Sequence, residues 1–457
     1  MDLEILLAKI EKLEARIVEL ETENRQLRNK VSELETKLAR YENLDSSNSS
    51  KPPSQDYKKK NLPRVKSFRD SGGQTGHKGT TLQKVEHPDE IIDCNPDNCS
   101  NCGTELETVS GTVVDSKQEI DIPEIKPKVR EYRRMKKICP VCGQSNCGKY
   151  PKHLKSAIQF GTLIKSLIVY LNICHKIPFD RLTQIIKDLL NLKISEGTIE
   201  NTLQKALKQA EINKEEILKR IKQSSWAQSD ETGIRVDGEN WQLWTWCNQY
   251  FSMYVADKSR GYDVIKENFG EDYQGILIHD CYAAQNKTPA KAHQHCLAHY
   301  LRDLKYSIEV EQCVWSKTIS SFLRRAVKIK EKIWADNFDP ALRQQIINRF
   351  NQALIDHLQQ LPLPSNKYAF RLYKRFLKHN KSILLFMSYQ DLPSTNNGSE
   401  RAIRNAKIHK KISGCFRNPN AAKRHATILS TIETAKKQGI SILYACKSLI
   451  SELKLAF

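Results

Sequence analysis

Apolar side chains recur without a break at alternating three- and four-residue steps from residue 3 to 42, and this pattern leaves the start of the chain few choices. With Ile10 at position a of a heptad, the a series is Ile10, Ile17, Asn24, Val31 and Leu38, and the d series is Leu6, Leu13, Leu20, Leu27, Leu34 and Tyr41. β-Branched residues at a with leucine at d favour a parallel two-stranded coil, and a single buried asparagine such as Asn24 fixes its register. The flanks agree: Lys9–Glu14, Arg16–Glu21, Glu23–Arg28, Lys30–Glu35 and Lys37–Glu42 are the facing g–e pairs, and each is opposite in sign. Residues 1–44 are therefore expected to form a coiled-coil dimerisation segment, making the protein a homodimer or a higher homo-oligomer.

Charge separates this segment from the rest. Residues 1–44 carry ten acids and eight bases, whereas the chain as a whole is at +20, so the remainder carries +22. So large an excess favours a polyanionic partner, usually nucleic acid. No run of about 18 apolar residues exists to span a bilayer; the most apolar window, Leu163 to Cys174, is broken by Lys165 and Asn172. No membrane association is expected. The opening Met1-Asp2-Leu3-Glu4 is acidic where a signal peptide is basic, so a cytoplasmic, nucleoid-associated location is expected. In that compartment the 13 cysteines point to metal or buried thiols rather than disulfides.

Length suggests about three domains. Residues 45–85 are rich in Ser, Pro, Gly and Lys and lose apolar periodicity, so they read as a basic flexible arm. Its Gly72-Gly73-Gln74-Thr75-Gly76-His77-Lys78-Gly79 permits close backbone approach to phosphates, with Lys78 as a DNA contact; a plain linker is an equal alternative. Residues 86–152 contain two matching knuckles, Cys99-Ser100-Asn101-Cys102-Gly103 and Cys139-Pro140-Val141-Cys142-Gly143. Two intervening residues let both thiolates reach one ion, and Cys99, Cys102, Cys139 and Cys142 make the closed set of a structural Zn²⁺ ribbon. Cys94 and Cys147 lie near enough in sequence to substitute. The alternation from Gln118 to Arg134 predicts strands between the knuckles.

Residues 153–221 read as a helical segment. One helix starts at Ile177-Pro178-Phe179-Asp180, with Leu182, Ile185, Ile186 and Leu189 spaced for a buried face. After a turn, Ser195 caps a second helix that carries Thr198, Ile199, Asn201 and Thr202. The shape fits a helix-turn-helix or an ordinary helical hairpin.

Residues 222–299 change period. Ser225 to Val236, Trp241 to Cys247 and Phe251 to Val255 predict three hairpin-connected strands, Asp263 to Phe269 a helix, and Gly275 to Asp280 a buried strand ending in an acid. This is the order of a ribonuclease-H-like α/β core, and it puts Asp230 and Asp280 on neighbouring strands. Adjacent carboxylates repel unless cations lie between them, and hard oxygen ligands select Mg²⁺ or Mn²⁺. Glu400, opening a helix after Ser394-Thr395-Asn396-Asn397-Gly398-Ser399, supplies a third carboxylate for two metal ions. Arg401, Arg404, Lys407, Lys410 and Lys411, followed by Arg417, Lys423 and Arg424, could hold DNA phosphates beside it. Each acid also has an ordinary structural reading, as a turn, strand-end or helix-start residue. Trp241, Trp244 and Trp246 alternate as core residues do.

Taken together, these motifs resemble the transposases of the insertion sequence 66 family. The resemblance rests on Asn48-Ser49-Ser50-Lys51-Pro52-Pro53, the glycine-rich arm, the paired knuckles, Asp230-Glu231-Thr232, Asp280-Cys281-Tyr282, Cys296-Leu297-Ala298-His299, Asn396 to Arg404, and Ile432-Glu433-Thr434-Ala435-Lys436. It covers nearly the whole chain in order. It implies a multidomain α+β protein with a DDE-type catalytic core and Asp230, Asp280 and Glu400 as metal ligands. It further implies a helical insertion near residues 300–390 and completion of the core by 391–457. Cys296 and His299 resemble a C-x-x-H element that either binds zinc or packs. Cys281 departs from the small residue expected after Asp280. The implied activity is Mg²⁺-dependent cleavage and strand transfer at the terminal inverted repeats of the element. Two rivals stand beside it: a catalytically inactive DNA-binding regulator, and an RNA-processing nuclease.

Overall fold

The computed structural model describes residues 13, 16–31, 34, 82–335, 338–455 and 457, with backbone alone at 405–407. Lys78, most of the arm and much of the heptad lie outside the described residues. The chain divides into two compact units, one of residues 60–129 and one of residues 1–59 with 130–457. No helix among the described residues is long and apolar enough to cross a membrane.

In the smaller unit, the Gln118 side chain clasps the Val85 backbone, accepting from its N–H and donating to its carbonyl, both at 2.8 Å. The first knuckle is a tight turn closed by Gly103 N–H to the Cys99 carbonyl at 2.9 Å. The strands expected between Gln118 and Arg134 do not form; the only ladder near the knuckles joins β1 (Lys136–Ile138) to β2 (Ser145–Cys147) in the larger unit. Ile120, Ile122, Ile125 and Val129 stand exposed, so the alternation there has no facing strand to bury against.

In the larger unit, α1 (16–31) is a helix whose seam residues Ile17, Leu20, Leu27 and Val31 are all exposed. The five-stranded sheet has the order β5-β4-β3-β6-β7. β3 (Trp226–Val236), β4 (Glu239–Cys247) and β5 (Ser252–Asp257) are antiparallel neighbours, while β6 (Ile276–His279) and β7 (Ala292–His295) run parallel to β3. Asp237 and Gly238 both take positive φ, 49° and 74°, as a two-residue hairpin between right-twisted strands requires. At the next hairpin the Asn248 carboxamide accepts from Tyr250 N–H at 2.9 Å and Phe251 N–H at 2.8 Å, so the side chain itself forms the turn. α5 (Tyr262–Asn268) makes the crossover that a parallel β6 needs. β7 was not foreseen, because Ala292-His293-Gln294-His295 lacks the apolar residues that mark a strand.

The period-two alternation sorts residues between two cores. Ile234, Trp241, Leu243 and Tyr254 face α2 (Thr162–Val169), α3 (Phe179–Leu190), α4 (Glu196–Lys222), α12 (Pro419–Lys437) and α13 (Ile442–Ser451). Ala227, Trp244, Trp246 and Val255 face α5 and α6 (Ala283–Asn286), with Trp246 stacked on Phe269 at 5.5 Å. Trp241, Trp244 and Trp246 are thus core, as their alternation predicts. Ser195 caps α4 by accepting from Thr198 N–H at 3.2 Å. Leu189, expected on the buried face of α3, is exposed instead. Between sheet and C-terminus, α7 (Leu297–Glu311), α8 (Val314–Ile333), α9 (Pro340–Gln360) and α10 (Lys367–Lys378) build a helical layer whose core is shared with Ile276 and Ile278 of β6.

Candidate active site

β3 carries Asp230 near its middle, and its alternation turns Gln228 and Asp230 to one face and Ser229 and Glu231 to the other. Gln228 pairs with Ile278 in parallel register, and each is two residues short of its acid. Asp230 and Asp280 therefore occupy matching positions on strands about 4.8 Å apart. All three acids, Asp230, Asp280 and Glu400, are half-buried.

Gln228 brings in the third acid. Its Nε2 donates to the Thr395 carbonyl at 3.0 Å, and its Oε1 accepts from Ser399 N–H at 3.0 Å. Asn396 adds a bond from Nδ2 to the Ser229 carbonyl at 2.9 Å. These bonds seat the first turn of α11 (Asn397–Ile412) on β3, and Glu400 lies in that turn. Contact is so close that a Cβ on Gly398 would stand 2.1 Å from Gln228 Oε1. From the other side, Asn396 N–H donates to Cys296 Sγ at 3.1 Å and Leu297 N–H to the Ser394 carbonyl at 2.9 Å.

The electrostatics of the two neighbouring acids on β3 differ. Burial pushes the Asp230 carboxyl up to about 8, and Asp280, Glu231 and Glu400 add repulsion in that order of size. Glu231 is also raised by burial, but Arg260 opposes the rise. The Arg260 guanidinium donates to Glu231 Oε1 at 2.6 Å and Gln285 Nε2 donates to Oε2 at 2.7 Å. Arg260 also lies 4.2 Å over the Tyr282 ring, and Tyr282 donates its N–H to the Asp280 carboxylate at 3.2 Å. The residues that follow each acid in the sequence thus brace the two acids against each other.

Glu400 has further neighbours. His299 Nε2 is 3.8 Å from its Oε1, and Cys296, His299 and Glu400 each present a metal-ligating atom within 4.8 Å of the other two. His299 Nδ1 is buried and has no hydrogen-bond partner among the described residues. Along α11, Arg401, Arg404, Lys410 and Lys411 are exposed. Arg424 is not part of such a surface: it is buried and bidentate to Glu200 at 2.6 and 2.7 Å, joining α12 to α4. A cleft of about 670 Å³ adjoins the start of α11, lined among others by Trp226, Gln228, Asn248, Arg401 and Lys436. Gln228, Arg260 and Gln285 escaped the sequence reading, and Asn396 entered it only as part of the motif before Glu400. Gln228 could have been found as the residue one period before Asp230; Arg260 leaves no local signal, being 29 residues from its partner.

Each knuckle is built alike. Cys99 N–H donates to the Thr104 carbonyl and Cys139 N–H to the Gln144 carbonyl, both at 2.8 Å, and Gly103 and Gly143 take φ of 75° and 71°. A hydrogen bond from Thr104 is the main cause that brings the Cys102 thiol down to about 7. Backbone N–H groups of Cys142 and Val141 lower Cys139. Both turns thus favour the thiolate, the form that ligates metal.

Three family models match the chain. A family of unknown function covers residues 7–83. The zinc-finger binding domain of transposase IS66 covers residues 96–143, a stretch that contains both knuckles. No curated protein matches the sequence. The third model spans residues 157–424, more than half of the chain, and includes Asp230, Asp280 and Glu400: the protein belongs to the transposase IS66 family.

Proposed function

We propose that this transposase is a DDE-type polynucleotidyl transferase, with Asp230, Asp280 and Glu400 as shared ligands of two Mg²⁺ or Mn²⁺ ions on a ribonuclease-H-like core. The strand order, three antiparallel strands followed by two parallel to the first, supports that core. The observation that carries the reading is the charge around Asp230. Burial first, and then three other carboxylates, raise its pKa. Such a group either keeps its proton or takes up a divalent ion. Oxygen-only ligands fit Mg²⁺. When bound, the ions lend Lewis acidity to the attacking and departing oxygens of phosphodiester exchange.

The protein's own part is positional. Gln228 and Asn396 hold the first turn of α11 against β3, which fixes where Glu400 stands. Tyr282 N–H fixes the Asp280 carboxylate, and the Glu231–Arg260 pair fixes Tyr282. Arg401, Arg404, Lys410 and Lys411, with Lys407, continue from Glu400 along one helix and supply phosphate contacts for double-stranded DNA. Recognition of the element ends is assigned to the arm at 45–85 with Lys78, the ribbon at 86–152 and the helical segment at 153–221. A structural Zn²⁺ on Cys99, Cys102, Cys139 and Cys142 stabilises the ribbon, since each knuckle offers a pair of thiolates. The exposed seam of α1 supports homodimerisation through residues 1–44, and the work is done in the cytoplasm.

The test is Mg²⁺-dependent cleavage and strand transfer on duplexes carrying the terminal repeats. Asp230→Ala, Asp280→Ala and Glu400→Ala each abolish both steps and leave DNA binding intact. Strand transfer retained by Asp280→Ala would overturn the assignment, and a wild-type protein that binds the ends without nicking them would be a regulator.

A further inference from the structure

Behind Asp280 lies a cluster of side chains that the carboxylate chemistry does not use. Cys281 follows the acid, His295 ends β7, and His379 terminates α10 of the helical layer. One ligating atom from each lies within 4.8 Å of the other two. His295 is fully buried. Its Nε2 is 2.8 Å from Asn286 Oδ1, while Asn286 Nδ2 donates to the Tyr282 carbonyl at 3.0 Å. The second bond fixes the orientation of the amide, so Oδ1 must accept and His295 Nε2 must carry the hydrogen. The lone pair is then on Nδ1, where it accepts from the Tyr300 hydroxyl at 3.0 Å, a bond that an ion would replace. Metal-bound imidazoles are commonly held this way, with the far N–H given to an oxygen that sets the tautomer.

We propose that Cys281, His295 and His379 bind one Zn²⁺-class ion, separate from the ribbon and from the carboxylates, which pins the end of α10 to the sheet one residue from Asp280. A thiolate with two imidazoles selects a borderline-soft ion and rejects Mg²⁺. In a tetrahedral zinc site, ligand atoms stand about 3.5 Å apart, so the three side chains need close by no more than about 1 Å on binding. Water takes the fourth position. The neighbouring Arg375 does not forbid a cation, because its guanidinium is paired with Asp303. His279 and His293 are not ligands: His279 Nε2 bonds His293 Nδ1 at 2.9 Å, and its Nδ1 faces the Asp280 carbonyl, so these rings buttress the strand ends.

The test is metal content of the full-length protein after dialysis against Zn²⁺ at micromolar concentration, measured by plasma mass spectrometry beside circular dichroism. Cys281→Ala and His379→Gln each lower bound zinc by one equivalent per chain. The loss adds to that of Cys139→Ser, which reports on the ribbon. Loading with Co²⁺ shows the same missing site as a weaker sulfur-to-metal charge-transfer band in Cys281→Ala. His379 is only half-buried, so His379→Gln keeps the fold and decides the matter even if Cys281→Ala does not. Zinc content in His379→Gln equal to wild type overturns the proposal.

Discussion

The two faces of β3 treat a buried acid in opposite ways. On one face Glu231, its side chain 2% exposed, is matched by Arg260 and Gln285, and its charge is spent inside the protein. On the other face Asp230, one residue earlier, faces Asp280 and Glu400 and is left unmatched. The difference separates a structural carboxylate from a functional one more sharply than burial does. The neutralised acid holds the loops in place; the unneutralised one is the ligand proposed for a divalent ion.

Exchanging the two acids for their amides is the strongest way to break this comparison. Asp230→Asn should reduce Mg²⁺-dependent cleavage by about 10³-fold or more, because a metal ligand is lost while the shape is kept. Glu231→Gln should stay within about tenfold of wild type in rate but melt at a lower temperature, because the amide keeps one acceptor for Arg260 but turns an N–H toward the Gln285 donor, and the charge pairing is lost. Equal rates in the two variants, measured on the same duplex, would erase the distinction between the faces.

Gly398→Ala attacks the same face without touching an acid. The added methyl collides with Gln228 Oε1, which must move and take the first turn of α11 with it. A displacement near 1 Å of Glu400 should cost about 10²-fold in rate. Circular dichroism should change little, since the site is at the helix start and not in a core. A variant with wild-type rate would show that Gln228 does not set the position of Glu400.

What the sequence made legible follows the same division. The order and type of β3, β4, β5, α5 and β6 were readable because each has a long apolar period or a turn signature such as Asp237-Gly238. Asp230 and Asp280 could be placed on adjacent strands by counting. Arg260 could not be read, since its partner lies across a crossover and only the fold brings them together. β7 was hidden by its histidines, which are polar in sequence yet buried in the sheet. Between the knuckles, alternation at Ile120 and Ile122 predicted strands that do not form, because periodicity reports a capacity to pair and not a partner. Lys78 and both ends of the heptad lie outside the described residues, so their roles rest on sequence and on the proposed function.

The comparison also sets a pH dependence. Asp230 must lose its proton before it can ligate, and its pKa stands at about 8. Apparent Mg²⁺ affinity should therefore fall roughly tenfold per pH unit below about 8, and level off above it. Titration calorimetry across pH 6–9 checks this. A flat profile would mean that burial and the neighbouring carboxylates do not raise Asp230 in solution.

The smallest effect has the most informative sign. A carboxyl whose pKa is raised on folding favours the folded state at pH below its unfolded value of 3.8. That contribution is lost as pH climbs toward about 8, and above it the ionised group opposes folding in full. Without divalent ions, Asp230→Asn should therefore be more stable than wild type at pH 9, by about 1–3 kcal/mol after allowing for the partial exposure of the group. At pH 4 the two should melt alike, and Mg²⁺ at pH 9 should reverse the advantage by stabilising only the wild type. Glu231→Gln should be destabilised at pH 9, because Arg260 then loses its counter-charge. Opposite signs for adjacent acids on one strand are expected only if one is held by the fold and the other is held in reserve for a cation. Thermal melts of both variants with and without Mg²⁺ would read those signs directly, and a loss of stability in Asp230→Asn at pH 9 would place its counter-charge within the protein after all.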